Sequence, residues 1–213
     1  MAPEIVVVSG AHPEAALVAR AGGRLAAGEL LIYPTDTLYA IGGRALDPGA
    51  VRSVRAAKGR DEGKPLPLIA ADLDQARSLC AAWPPEAQVL ADRFWPGPLT
   101  LVLAAAATVP VEVGAGSGTV AVRVPALELA RALCRAAGPL VSTSANRAGG
   151  TPAMTCAEAV AAVGAAASLA LDGGPGHGAA STIVDVRARP VRLLRPGAVP
   201  WDEIEGVLPP GGR

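Results

Sequence analysis

TIVDVRARPVRLL, residues 182–194, decides how this chain can fold. Thr182 to Val186 and Val191 to Leu194 read as strands, being rich in β-branched and aliphatic residues. Only Arg187, Ala188, Arg189 and Pro190 lie between them. Parallel neighbours need a crossover of about a dozen residues or more, so this pair is antiparallel. Elsewhere strands and helices alternate in the manner of sheets with parallel pairs, so the sheet is expected to be mixed.

Upstream of the hairpin, Leu169 to Asp172 is another strand, and the helix before it opens on a capping box, Thr155 with Glu158. Pro139 to Ser142 reads as a strand, preceded by a helix from Ala126 to about Ala136. Thr119 to Val124 alternates Val120, Val122 and Val124 against Ala121 and Arg123, the pattern of a half-buried strand. Leu99 to Ala104 is a buried strand and Pro84 to Phe94 a helix. Leu66 to Ala70 is a strand, with Asp72 capping the helix after it. Asp47 and Pro48 start a helix that runs to about Lys58. Glu29 to Tyr33 is a strand ended by Pro34. At the start, a strand over Glu4 to Val8 precedes a helix from Pro13 to about Ala27. No Ser/Pro-rich or charged linker and no repeat interrupts the series. One α/β domain over residues 1–213 is expected, with its core over 10–200 and a loose tail at 209–213.

A chain of 213 residues can bury roughly 70% of its unfolded surface. With 51% hydrophobic and only 3% aromatic residues, that core is built from Ala, Val and Leu. Nineteen basic residues balance nineteen acidic ones, which argues against extended polyanion or membrane-surface binding and makes any anion site local. Cys80, Cys134 and Cys156 form no ligand pattern and read as reduced, buried thiols. No basic-then-apolar leader and no apolar run of about 18 residues is present, so a cytoplasmic protein without membrane association is expected.

Three polar, Gly-rich segments fall just beyond strand ends: Thr35 to Thr37, Ser142 to Asn146, and Gly173 to Ser181. Ligands in open α/β sheets bind outside the carboxyl ends of strands, so the three point to one cleft, although each also reads as a turn satisfying its own backbone. In AAKGRDEGKP, residues 56–65, Lys58, Arg60 and Lys64 continue a basic helix face begun by Arg52 and Arg55. This is no Walker A loop, because three residues separate Gly59 from Gly63 and Pro65 follows Lys64. It is either a phosphate site or a solvated charged face. Arg123 must meet an anion if it points inward, and is ordinary if it points out. His12 and His177 are the only histidines, GAGSG (114–118) and GPGHG (174–178) lack a dinucleotide fingerprint's context, and no GxSxG, HExxH or zinc pattern occurs.

Taken in order, YPTDTLYAIGG (33–43), KGR (58–60) with KPLPLIAA after it, FWPGPLTLVL (94–103), TVAVRVP (119–125), STSAN (142–146), STIVD (181–185) and LRPG (194–197) resemble the signature segments of the YrdC family. The resemblance implies a single α/β domain with a twisted, mixed parallel and antiparallel sheet, helices packed around it, and a concave basic cavity. It implies synthesis of threonylcarbamoyl-AMP and pyrophosphate from L-threonine, bicarbonate and ATP with Mg²⁺. A downstream transferase complex would then modify the adenosine after the anticodon in tRNAs reading codons that begin with A. By motif, Lys58, Arg60, Ser144 and Asn146 are the implied catalytic, nucleotide-lining set. Thr37, Arg123, Ser142, Thr143 and Ser181 fall at the implied threonine site, with Arg123 on its carboxylate. Lys64, Thr119 and Arg195 are further implied nucleotide contacts. Two departures stand out: Ala40 where the family usually has glycine, and Asp61 where a proline often follows the Lys-x-Arg. The likeness is to the single-domain form. A second reading is a non-catalytic RNA-binding accessory protein on the same scaffold, with weak tRNA contact; the complete Lys58, Arg60, Ser144 and Asn146 set favours the enzyme.

Overall fold

The computed structural model describes residues 2–59, 63–176, 178–209 and 212. In chain order the elements are β1 (Glu4–Val7), α1 (Ala15–Ala26), β2 (Leu30–Pro34), β3 (Tyr39–Arg44), α2 (Pro48–Lys58), β4 (Leu68–Ile69), α3 (Leu73–Ser78) and α4 (Pro85–Phe94). There follow β5 (Leu99–Ala104), β6 (Thr119–Arg123), α5 (Glu128–Ala137), β7 (Leu140–Ser144), α6 (Cys156–Val163), β8 (Ala167–Asp172), β9 (Thr182–Asp185), β10 (Arg192–Arg195) and α7 (Trp201–Val207). The strands form one sheet in the order β1-β8-β2-β3-β7-β4-β6-β5-β9-β10. β9 and β10 pair antiparallel, Arg192 facing Asp185, while β1, β8 and β2 run parallel, so the sheet is mixed as the short connection requires.

Local signals hold where the chemistry is local. The Asp47 carboxylate accepts from Gly49 N at 2.8 Å, and Gly59 ends α2 in a left-handed conformation. Asp72 caps α3, and Thr155 with Glu158 forms the capping box of α6. The strand expected over 66–70 shrinks to Leu68–Ile69, since Pro65 and Pro67 bring no N–H to a ladder. β3 and α7 lie where no element was expected. Val191 N donates to the carbonyl of buried Gly212 at 3.0 Å, so this residue of the supposedly loose tail is packed.

Strand register sorts the side chains onto two faces. Leu68, Leu99, Leu101, Leu103, Val120, Val122, Val141 and Ile41 share the face of the larger core, which α2, α3, α4, α6 and α7 cover. On the opposite face α1 and α5 cover Leu31, Tyr33, Ala40, Ile69 and Leu140. That smaller cluster contains no residue of β5, β6 or β9. On this face, therefore, the helical cover ends near β4, and Thr100, Val102, Thr119, Ala121 and Arg123 look into open space.

Candidate active site

The open part of that face is the floor of a cavity of about 530 Å³. Its wall carries Thr35 and Thr37 from the turn after β2, Thr119 and Arg123 from β6, Ser142 to Ser144 from β7, and Ser181 and Arg195 around β9 and β10. Three charged side chains line it among the described residues, Arg123, Arg187 and Arg195. The valines of TVAVRVP face the core while Ala121 and Arg123 face this space, so the alternation read as half-solvated marks a cavity wall.

The STSAN segment divides into two jobs. The first three residues belong to β7 itself, two positions past the strand end expected at Ser142, and line the cavity. Asn146 serves its own turn, its amide donating to the carbonyls of Arg147 at 2.8 Å and Gly150 at 2.7 Å. Lys58, 2% exposed, donates to the carbonyl of Asn146 at 2.7 Å and to that of Ser144. Lys58 and Asn146 are thus gathered behind the wall that Ser144 faces, and neither lines the cavity. Arg60, like Asp61 and His177, lies outside the described residues.

The basic face of α2 is mostly structural. Arg52 pairs with Glu112 at 3.0 Å, and buried Arg55 donates to the carbonyls of Lys64 at 2.9 Å and Glu112 at 2.7 Å. The Lys64 side chain is exposed and not in the wall, although its neighbour Pro65 is.

Arg123 does point inward, and the anion it meets belongs to this chain. Its Nη1 donates to both carboxylate oxygens of Asp36, at 2.9 and 3.0 Å, and Nη2 donates to the Thr37 hydroxyl at 3.1 Å. Thr35 closes the turn, its hydroxyl accepting from the N–H groups of Thr37 and Leu38. The turn is tied to the 173–181 segment by Gly178 N donating to the Thr37 carbonyl and by the Tyr39 hydroxyl, which donates to the Gly174 carbonyl at 2.6 Å. Burial raises the Tyr39 phenol well above its usual value, so it stays a neutral hydrogen-bonding strut.

Ser181 shares a 2.9 Å hydrogen bond with Thr100, and Arg195 donates to the Ser181 carbonyl at 2.6 Å and hydroxyl at 3.1 Å. Thr119 shares a 2.7 Å bond with Ser117, so GAGSG contributes to the wall after all. Thr100, Ser117 and Arg187 are members of the site or its support that no motif singled out, and Thr35 and Asp36 belong to a segment expected at the cleft in which only Thr37 was given a role. Thr100 carried a usable signal, a single hydroxyl in the apolar run LTLVLA. Arg187 forms a fork with Asp185 at 2.7 and 2.9 Å; burial pushes that carboxyl up, but Arg187 more than offsets it and holds it below its ordinary value.

None of the three cysteines lines the cavity, and no group of three or more His, Cys, Asp or Glu side chains that could hold a metal occurs among the described residues. No helix among them is long and apolar enough to cross a membrane. The arrangement is one of neutral hydroxyl and cationic groups aimed at anions.

Comparison with known proteins places the chain in a family. The family model Sua5_yciO_yrdC, described as telomere recombination, matches residues 24–197. The threonylcarbamoyl-AMP synthase of Pyrococcus abyssi is 42% identical over 191 residues, 88% of this chain and 56% of that protein. The threonylcarbamoyl-AMP synthase of Chromohalobacter salexigens is 39% identical over 173 residues, 80% of this chain and 93% of that protein. The crystal structure of P. abyssi Sua5 complexed with L-threonine superposes with a TM-score of 0.92 at 38% identity, covering 96% of this chain and 60% of that one. The chain therefore spans little more than half of the P. abyssi relative and nearly all of the C. salexigens one.

Proposed function

This chain belongs to the Sua5/YciO/YrdC family, and from that membership we propose that it is an L-threonylcarbamoyladenylate synthase. The observation that carries the proposal is the pairing, in one cavity, of an inward guanidinium flanked by a hydroxyl, Arg123 with Thr37, and the hydroxyl side chains of Ser142 and Ser144, which share a face of β7. The guanidinium and its hydroxyl, with Ser142 and Ser181, suit an amino acid; Ser144, with Thr119 and Arg195, suits the oxygens of a nucleotide.

In the proposed reaction the neutral amine of L-threonine condenses with bicarbonate, forming a C–N bond and releasing water, to give a carbamate. A carbamate oxygen then attacks the α-phosphorus of ATP, a P–O bond forms, and the bond to the β-phosphate breaks to release pyrophosphate. Mg²⁺ enters as part of the MgATP substrate. What the chain supplies is alignment of two anions and stabilisation of developing charge, which needs no strong side-chain base. That fits a wall of Ser, Thr and Arg. Lys58 and Asn146 contribute by fixing the end of β7, and Arg60 acts on the nucleotide. The product would pass to a threonylcarbamoyl transferase complex acting on the adenosine after the anticodon in tRNAs that read codons beginning with A, in the cytoplasm.

Pyrophosphate release from MgATP, measured with and without L-threonine and bicarbonate, tests the reading. Release should require both, and Arg123→Ala should raise the KM for threonine about 100-fold while leaving that for ATP within about threefold. Release indifferent to threonine would sink the proposal.

A further inference from the structure

Asp36 has no part in the chemistry proposed above, yet its carboxylate is paired with Arg123 at the amino-acid end of the cavity. Its carboxylate grips Arg123 in an unusual way. Both oxygens bond the same nitrogen, Nη1, rather than spanning the two-nitrogen fork that a carboxylate usually takes. Nη1 also donates to the Gly97 carbonyl at 3.4 Å, and Nη2 gives a hydrogen to Thr37. No hydrogen bond from Nε is found among the described residues, so the edge away from Asp36 keeps donors for a ligand. Arg123 and Thr37 line the cavity and Asp36 does not. The acid stands behind the guanidinium, with side chains only 8% and 12% exposed for Arg123 and Asp36.

This placement has a consequence for charge. A lone buried guanidinium would attract any anion, and in a poorly screened site the attraction would be strong. With Asp36 behind it the pair carries no net charge. A ligand carboxylate on the free edge still finds hydrogen-bond donors, but it lies one guanidinium away from a second carboxylate and is repelled. A ligand that brings its own positive charge on the adjacent carbon escapes that penalty.

We propose that Asp36 makes this end of the cavity a reader of zwitterions, selecting α-amino acids over carboxylic acids that lack the ammonium group. Asp36 acts through Arg123 and through its field, as a specificity-determining residue, and discriminates by repelling the wrong ligand. The proposal rests on the assignment of Arg123 to the carboxylate of L-threonine.

The test is calorimetric titration of L-threonine and of its des-amino counterpart, 3-hydroxybutyrate, into the wild type and Asp36→Asn. Wild type should prefer L-threonine about 100-fold or more. Asp36→Asn should cut that ratio about tenfold or more, mainly by binding 3-hydroxybutyrate more tightly. A role confined to bracing Arg123 would weaken both ligands together and leave the ratio unchanged, and that result overturns the proposal. Should Asp36→Asn fail to fold, the wild type still decides, since binding 3-hydroxybutyrate within about threefold of L-threonine is incompatible with the filter. If L-threonine does not bind the wild type, the functional assignment fails separately. Alanine against propionate and serine against 3-hydroxypropionate then carry the same comparison, and absence of any preference for the amino acid overturns the zwitterion reader itself.

Discussion

The ammonium of Lys58 and the carbonyl of Asn146 lie 2.7 Å apart, joining the last residue of α2 to the turn that follows β7. A charged donor buried on main-chain carbonyls fixes the strand end on which Ser144 rides. Lys58→Ala leaves those carbonyls without their donor, at a cost of about 2–3 kcal/mol. Thermal unfolding should show that loss, and pyrophosphate release should fall about 100-fold or more. A variant that loses activity with an unchanged melting temperature would place the lysine's effect elsewhere.

Gly42 permits β3 and β7 to pair closely. A Cβ there would sit 2.2 Å from the Val141 carbonyl and 2.6 Å from the Tyr33 hydroxyl, both immobile. Gly42→Ala should cost about 3 kcal/mol in chemical denaturation. Ala40, two residues earlier and in the cavity wall, has room for its methyl, so Ala40→Gly should cost only about 0.5–1 kcal/mol.

Neighbouring residues of β6 should separate stability from binding. Val122 is fully buried in the larger core, and Val122→Ala should cost about 2 kcal/mol while leaving threonine affinity within about twofold. Ala121 faces the cavity, and Ala121→Phe should abolish threonine or nucleotide binding with stability changed by less than about 1 kcal/mol. Titration and denaturation of the same two variants check both halves.

Burial raises all three thiols, Cys80 to about 12 and Cys156 to about 11, with Cys134 higher still than its ordinary value. The thiolate is the reactive form, so at pH 8 the native protein should react with a disulfide reagent far more slowly than a free thiol. All three thiols should react promptly in guanidinium chloride. Cys134 and Cys156 are buried as expected, whereas Cys80 is only half-buried, so it should be the first of the three to react in the native protein.

The mixed sheet was legible from Arg187 to Pro190, because a connection that short admits one geometry. The inward Arg123 was legible as a question, since alternation places it opposite the valines without saying which face is open. Its answer, Asp36, is 87 residues away and no local pattern links them. β3 was hidden by Gly42 and Gly43, which carry no side chain to mark an alternating strand but allow neighbouring groups to approach closely. Lys58 and Asn146 sit beside the STSAN hydroxyls in motif order; only the hydrogen bonds from Lys58 to the Ser144 and Asn146 carbonyls show that these two hold the end of β7 without lining the cavity.

The cavity floor is made from the sheet's interior strands, not from loops laid over them. Backbone amides beneath the ligand, such as those of Ala121 and Thr143, should therefore exchange with solvent only in openings close to global unfolding. At the rim, by contrast, Gly174 and Gly178 are joined to the turn after β2 by single hydrogen bonds, from the Tyr39 hydroxyl and to the Thr37 carbonyl. Breaking those few bonds would leave the hydrogen-bonded ladder under the cavity intact.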